Sequence, residues 1–311
     1  MSIVVVTPNP AVDVTYRVAE QRIGTTQRVR DVRRMPGGKG VNVARVLAAL
    51  GLTSLSVLPL GGPSGAWVAA RLDALGLPTR PVPIAGDTRS TVTVVDGRAH
   101  PTMFGEPGPV LTAAEWERVT AAVAAGVQGA RLLIVSGSLP PQTPPEIVAD
   151  WVDVARRAGA RSIVDVPGDA LLAAAAAGAS VVKPNRDELL EATGADGEAA
   201  GARSLLARGA GAVVVSRGSA GIAAYLPDGR LELAAVPGVR GNPTGAGDAA
   251  SAGLARALAS DAASDRGFDS ALRHANALGA AAVLRPVAGE VDLDTYHRFL
   301  AALPWPEMEM S

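Results

Sequence analysis

Short runs of β-branched and leucine residues recur along the chain, at Ile3 to Thr7, Leu55 to Leu60, Leu132 to Ser136, Ser162 to Val166, Ser180 to Lys183 and Ala212 to Ser216. Their apolar character is continuous rather than alternating, which suits parallel strands covered on both faces. Between them, Val41 to Leu50, Ala66 to Leu75, Ala113 to Val127, Pro145 to Ala158 and Arg186 to Thr193 carry helical patterning. The third of these opens with Thr112, Ala113, Ala114 and Glu115, a capping box in which threonine and glutamate satisfy each other's backbone amides. The alternation predicts an α/β fold, a doubly wound and mostly parallel sheet flanked by helices. Three more helices are expected at about Ala249 to Ala259, Ser270 to Leu284 and Leu293 to Ala302. Two regions, about 12–34 and 80–104, break the pattern: they are rich in Val, Thr and Arg and contain period-two stretches such as STVTVV. They predict a small inserted β-sheet, a lid over the C-terminal edge of the large sheet, within a single domain spanning 1–311. The end, PWPEMEMS, reads as a polar tail.

Composition narrows the partners. The chain has 311 residues, 48% of them hydrophobic, enough for a substantial core, and a net charge of −1 that supplies no broad basic field for nucleic acid or an anionic membrane. The longest nearly apolar run, Ala170 to Val182, is too short to span a bilayer and contains Gly178 and Ser180. The start, MSIVVVTPNP, reads as a strand rather than a secretory signal. Cysteine is absent, which removes disulfide and thiol chemistry and fits a cytoplasmic protein. The expectation is a soluble protein without nucleic-acid or membrane partners. Among 29 basic residues only Lys39 and Lys183 are lysines, and both fall in motifs that look chemical for other reasons. A compact, mobile ammonium does a different job from arginine's planar fork.

The first such motif, PGGKGVNVARVLAALG from Pro36, joins a glycine turn to an amphipathic helix. Bare backbone at a helix start favours an anion or a polar ligand, and Lys39 and Asn42 add donors. It matches neither the Walker A loop nor the dinucleotide fingerprint. The second, GNPTGAGDAASAG from Gly241, opens a helix with Gly245, Ala246 and Gly247 and places Asp248 in its first turn. An acid there can simply complement the helix dipole. The small residues ahead of it also leave room for a phosphate on the free amides, with the carboxylate placed to take a proton from an attacking hydroxyl. Those are the requirements of phosphoryl transfer.

Together the two motifs resemble the signatures of the PfkB, or ribokinase-like, carbohydrate kinases. TPNPAVDVTY, DTRSTVTVV, EPGPVLT, VSGSLPP, VKPNRDEL, VVSRGSAG and ANALGAAAV follow in the family's order over nearly the whole chain. The resemblance implies that Asp248 is the catalytic base and that the amides of Gly245, Ala246 and Gly247 form the anion hole. It assigns Asp13, Gly38, Lys39 and Asn42 to the sugar. Lys183 would meet the ATP phosphates, and Asn185 with Glu188 would position hydrated Mg²⁺; Asn185 alone suits a helix cap equally well. Ser216 and Gly218 would contact nucleotide phosphates and ribose, and Asn276 would lie near adenine.

The likeness extends to the family's hexose-phosphate branch, where an arginine and a serine bind the phosphate already on the sugar, here Arg89 and Ser138. Arg28 adds a cation from the lid, from a neighbouring subunit if the protein is a homodimer through the lid, or else serves as a surface charge. Two positions depart from the family pattern, Thr91 and Gly105 standing where asparagine is usual. The implied reaction is ATP-dependent phosphorylation of a ketohexose phosphate, fructose 1-phosphate to fructose 1,6-bisphosphate, with tagatose 6-phosphate or fructose 6-phosphate as alternatives. A ribose or nucleoside kinase would leave Arg89 and Ser138 without a phosphate. A non-catalytic sugar-phosphate or nucleotide sensor would not need Asp248, Lys183 and Glu188 together.

Overall fold

The computed structural model describes residues 2–96, 101–259 and 267–310; residues 97–100 of the expected lid lie outside that set. The first half runs β1 (Ile3–Val6), β2 (Ala11–Arg17), β3 (Asp31–Gly37), α1 (Lys39–Ala49), β4 (Ser54–Leu60), α2 (Gly62–Ala74), β5 (Thr79–Pro83), β6 (Arg89–Val95), β7 (Thr102–Gly105), α3 (Ala113–Gly126) and β8 (Leu132–Ser136). Then come α4 (Glu146–Arg157), β9 (Arg161–Asp165), α5 (Asp169–Ala176), β10 (Val181–Val182), α6 (Arg186–Thr193), α7 (Glu198–Arg208) and β11 (Val213–Ser216). The chain closes with β12 (Ile222–Leu226), β13 (Gly229–Leu233), α8 (Ala246–Leu258), α9 (Gly267–Val283), α10 (Leu293–Ala302) and β14 (Met308–Met310).

Ten strands form one sheet in the order β14-β13-β12-β11-β10-β9-β8-β1-β4-β5. The seven from β5 to β11 are parallel, and β12, β13 and β14 add an antiparallel edge. Strand alternation explains why the parallel runs are apolar throughout: Val4 and Val6 enter a core with Trp116 of α3 and Trp151 of α4, while Ile3 and Val5 enter the opposite core with Leu47 of α1 and Leu278 of α9. This is the expected two-faced α/β sheet. Among the described residues no helix is long and apolar enough to cross a membrane.

The small second sheet, in the order β3-β2-β6-β7, packs Val12 and Val14 against Val68 and Leu72 of α2. Its limits correct the expected range: residues 79–83 form β5 and pair with β4 in the large sheet. A short extended segment such as TRPVP reads alike in either sheet, and only the neighbouring β4 decides. The expected polar tail also differs, since its Met308–Met310 pairs with β13 and covers that edge.

Helices α8 and α9 pack closely because α8 is built from small residues. A methyl at Gly253 would lie 2.6 Å from the backbone of Ala275. Gly253→Ala should therefore destabilise the fold despite alanine's better helix propensity, by about 1–3 kcal/mol in urea unfolding; an unchanged or raised midpoint would contradict this packing.

Candidate active site

The C-terminal ends of β1, β8, β9 and β10 form one rim of the parallel sheet, where open α/β sheets present their ligand sites. Helix α8 begins there without a side-chain cap, from Gly245 in the left-handed conformation (φ 84°). A methyl on Gly245 would lie 2.7 Å from the Ala288 side chain, so this turn demands glycine for space as well as for backbone conformation. The first amides of a helix lack partners within it. Ala246 donates its own to the Pro243 carbonyl at 3.1 Å, so an anion at this turn would meet the amides of its neighbours, Gly245 and Gly247. The space beside Gly247 is shared with Lys183, whose Nζ would be 3.6 Å from a methyl placed there.

Asp248 is buried one residue further on, and its Oδ2 accepts a 2.9 Å hydrogen bond from Nδ2 of Asn42 on α1. Beneath it lies Asp165, the last residue of β9. Asp165 pairs with Lys183 at 2.9 Å and with Lys39 at 3.5 Å, and accepts a 3.3 Å hydrogen bond from Ser251 Oγ. The other side of Lys39 Nζ faces Glu188 Oε1, again at 3.5 Å. Both lysines of the chain thus converge on one buried carboxylate.

This arrangement separates the two aspartates electrostatically. Burial pushes Asp165 up, but Lys183 and Lys39, with the hydrogen bonds of Lys183 and Ser251, outweigh it and hold the carboxyl below the ordinary range. Asp248 is pushed up to about 6, by burial first and by the neighbouring Asp165 second, against the opposing Asn42, Lys39 and Lys183. Lys39 is raised by Asp165, against its own desolvation, with Glu188 and Asp248 adding to the effect. The result is an ionised anchor beside a carboxyl that is raised to about 6.

On the side expected to take the sugar, Asp13 of β2 lies against Gly37, where any side chain would occupy the carboxylate's place. Burial raises Asp13 to about 6 against the pull of Arg89 and Arg45 and a hydrogen bond from the Gly38 amide. Gly38 itself sits at φ 106° as the residue before α1. Arg89 starts β6 and donates to the carbonyls of Asn9, at 3.3 and 3.2 Å, and of Glu106, at 2.9 Å. Three of its five N–H groups are thereby committed. Thr91 faces Asp13 directly in the β2–β6 pairing. Ser138 follows β8 and is half-buried, while Arg28 lies exposed between β2 and β3.

Asn185 and Glu188 make a reciprocal capping box at the start of α6: Asn185 Oδ1 accepts from the Glu188 amide at 2.8 Å, and Glu188 Oε2 accepts from the Asn185 amide at 2.9 Å. Asn185 is therefore a helix cap, and Glu188 Oε1, the carboxylate oxygen the cap does not use, faces Lys39 Nζ. Beside it opens a cleft of about 670 Å³ lined in part by Asn185, Ser216 and Gly218, the expected nucleotide residues. Asn276 is not among them; its Nδ2 donates 2.8 Å to the Ala234 carbonyl beyond β13. Glu188 Oε1 and Asp165 Oδ1, both within 3.5 Å of one cation, are the kind of carboxylate set that holds Mg²⁺ when substrate phosphates complete its shell. The described residues contain no three-ligand cluster that would bind a metal without those phosphates.

Sequence reasoning missed Asp165 and Ser251. Asp165 had a usable signal, an acid next to the end of an expected parallel strand; Ser251 had none.

Fold and site together define a nucleotide-dependent sugar kinase. The pfkB family carbohydrate kinase profile matches residues 6–295, and the chain belongs to the PfkB family. It is 34% identical to the ATP-dependent 6-phosphofructokinase isozyme 2 of Mycobacterium tuberculosis, across 97% of this chain and 90% of that one. The phosphofructokinase-2 of Escherichia coli, solved in complex with fructose-6-phosphate, superposes with a TM-score of 0.86 at 29% identity, covering 97% of this chain and 98% of that chain. Arabidopsis thaliana ribokinase, solved with ribose and ATP, shares the fold at TM-score 0.72 and 21% identity, covering 96% and 98%. The protein is a phosphotransferase of the hexose-phosphate branch, and kinases of this family use ATP.

Because Asp248 binds its proton more tightly folded than unfolded, stability falls as pH rises from its ordinary 3.8 to about 6, and the full burial cost applies above that. Asp248→Asn should raise the thermal midpoint at pH 8, with the gain shrinking toward pH 4.5. A gain larger in acid than in base would refute the assignment.

Proposed function

We propose that the protein transfers the terminal phosphoryl group of ATP to a free hydroxyl of a fructose monophosphate, yielding fructose 1,6-bisphosphate. The observation that carries this reading is Asp248, buried at the uncapped start of α8, oriented by Asn42 and flanked by both lysines. The sugar hydroxyl attacks phosphorus as the bond from phosphorus to the ADP oxygen breaks, and the hydroxyl proton passes to Asp248. Asn42 aims the receiving oxygen. The amides of Gly245 and Gly247, with Lys183 and Lys39, stabilise charge on the phosphoryl oxygens. Asp165 and Glu188 would hold Mg²⁺, which neutralises phosphate charge. Asp13 and Gly38 hold the ring, and Ser138 with the remaining N–H groups of Arg89 receive the phosphate already on the sugar.

The names of the relatives favour fructose 6-phosphate as acceptor. A second reading, fructose 1-phosphate, draws on Thr91, which faces Asp13 where the family usually has asparagine. We further propose that the small sheet acts as a lid and meets a second copy through exposed Val32, Met103 and Phe104, bringing Arg28 to the partner's sugar site, and that the enzyme works in the cytoplasm.

ADP release measured with Mg-ATP should be strong on fructose 6-phosphate or fructose 1-phosphate and weak on tagatose 6-phosphate, fructose, ribose and adenosine. Asp248→Asn should lower kcat by about a thousandfold, and wild-type kcat/KM should fall as pH drops below about 6. Turnover confined to unphosphorylated acceptors would reject the role given to Arg89 and Ser138, and near-normal turnover by the variant would reject Asp248 as the base.

A further inference from the structure

One carboxylate outside the reacting cluster gathers three arginines from separate parts of the fold. Glu290, in the loop between α9 and α10, pairs with Arg33 of β3 at 2.6 Å, with Arg45 of α1 at 3.5 Å and with Arg285 of its own loop at 3.9 Å. Arg33 belongs to the small sheet, so this pair ties that sheet to the main body. Arg45 is mostly buried and also donates 2.8 Å to the carbonyl of Ala288, two residues before Glu290. Ala288 is the side chain that fills the space beside Gly245, at the turn opening α8. The same loop accepts a 3.2 Å hydrogen bond at Pro286 from Asn242, just ahead of that turn.

Helix α1 presents the two halves of this arrangement on one face. Asn42 holds Asp248, and Arg45, one turn later, holds Ala288 and Glu290. The main chain at Gly289 passes so close to both that a methyl there would lie 2.9 Å from Arg45 Nη1 and 3.0 Å from Asn42 Oδ1. The Glu290 loop is thus packed against the support of the base and against the support of the anion turn, while its carboxylate reaches out to the small sheet. An isolated exposed ion pair contributes little. Here the carboxylate is half-buried and shared among elements that must keep register, which is where removing one partner has a non-local effect.

We propose that Glu290 is a positioning residue that couples the small sheet to the catalytic turn. Through Arg33 it sets the place of β3 over the sugar pocket, and through Arg45 and Ala288 it sets the Gly245 turn, so a displacement of either is felt by the other.

The coupling is tested directly by hydrogen exchange on the full-length protein without ligands, for wild type, Glu290→Gln, Arg33→Gln, the double variant and Glu290→Asp. Backbone amides in residues 31–37 and 241–249 should exchange together about three- to tenfold faster in both Gln variants. The double variant should add little to either single one, the core strands β8 and β9 should be unchanged, and Glu290→Asp should restore much of the protection. Faster exchange in 31–37 alone, unchanged exchange in both segments, or additive effects in the double variant would overturn the proposal.

A kinetic arm rests on the phosphotransfer reading. Glu290→Gln should raise KM for the sugar phosphate and lower kcat, each by about threefold or more, with KM for ATP within twofold of wild type. An equal loss of apparent affinity for both substrates would mark a general structural defect and reject the positioning role. If wild type phosphorylates no sugar phosphate, the functional reading fails, and the exchange pattern still decides on the coupling.

Discussion

Two carboxylates, Asp165 and Asp248, share one buried corner of this molecule, and they cannot both be ionised there without compensation. The chain's two lysines both turn to Asp165, which keeps it charged and gives each ammonium a fixed place. Asp248 receives a neutral amide from Asn42 as its direct partner and retains the proton affinity of a desolvated acid. One aspartate pairs with cations and the other keeps the raised proton affinity of a buried acid. Interchanging their partners would leave the same residues in the same pocket with Asp248 pinned in its ionised form.

That constraint accounts for much of the surrounding architecture. Asp165 ends β9, Lys183 follows β10, Lys39 begins α1 and Asp248 lies in the first turn of α8. Parallel strands bring their C-terminal ends to one rim, and the helix starts then deliver unpaired amides to it. Close backbone approach is needed around the cluster, and glycine supplies it where a methyl would strike Asp13, Ala288 or the backbone of α9. The tight contact of α8 with α9 makes α8 a rigid platform for Asp248.

The small-sheet side is built differently. Asp13 and Arg89 are carried by strands of the small sheet, and Arg89 uses much of its fork to hold the turn at Asn9 and the strand end at Glu106. It is both a brace and a charge. Thr91 beside Asp13 makes this surface differ from the usual family pattern next to a buried carboxylate, so the small sheet carries this chain's own departure while the buried charge cluster belongs to α8 and its neighbours.

By itself the sequence determined six of the seven parallel strands, most of the helices and the motif residues Asp248, Gly245, Lys39, Asn42 and Lys183, because apolar periodicity and glycine-rich helix starts are local signals. It did not reveal α5 in the alanine-rich run at Asp169–Ala176, where nothing is periodic, nor the antiparallel strands that finish the sheet. Whether TRPVP joined the large or the small sheet depended on which strand lay beside it, and Asn185 became a helix cap once the geometry of α6 was formed. The roles of Ser251 and Glu290 arise from contacts with Asp165, 86 positions away, and with Arg33, 257 positions away. No local pattern encodes such pairs; burial and charge assign them only when the folded chain brings the partners together.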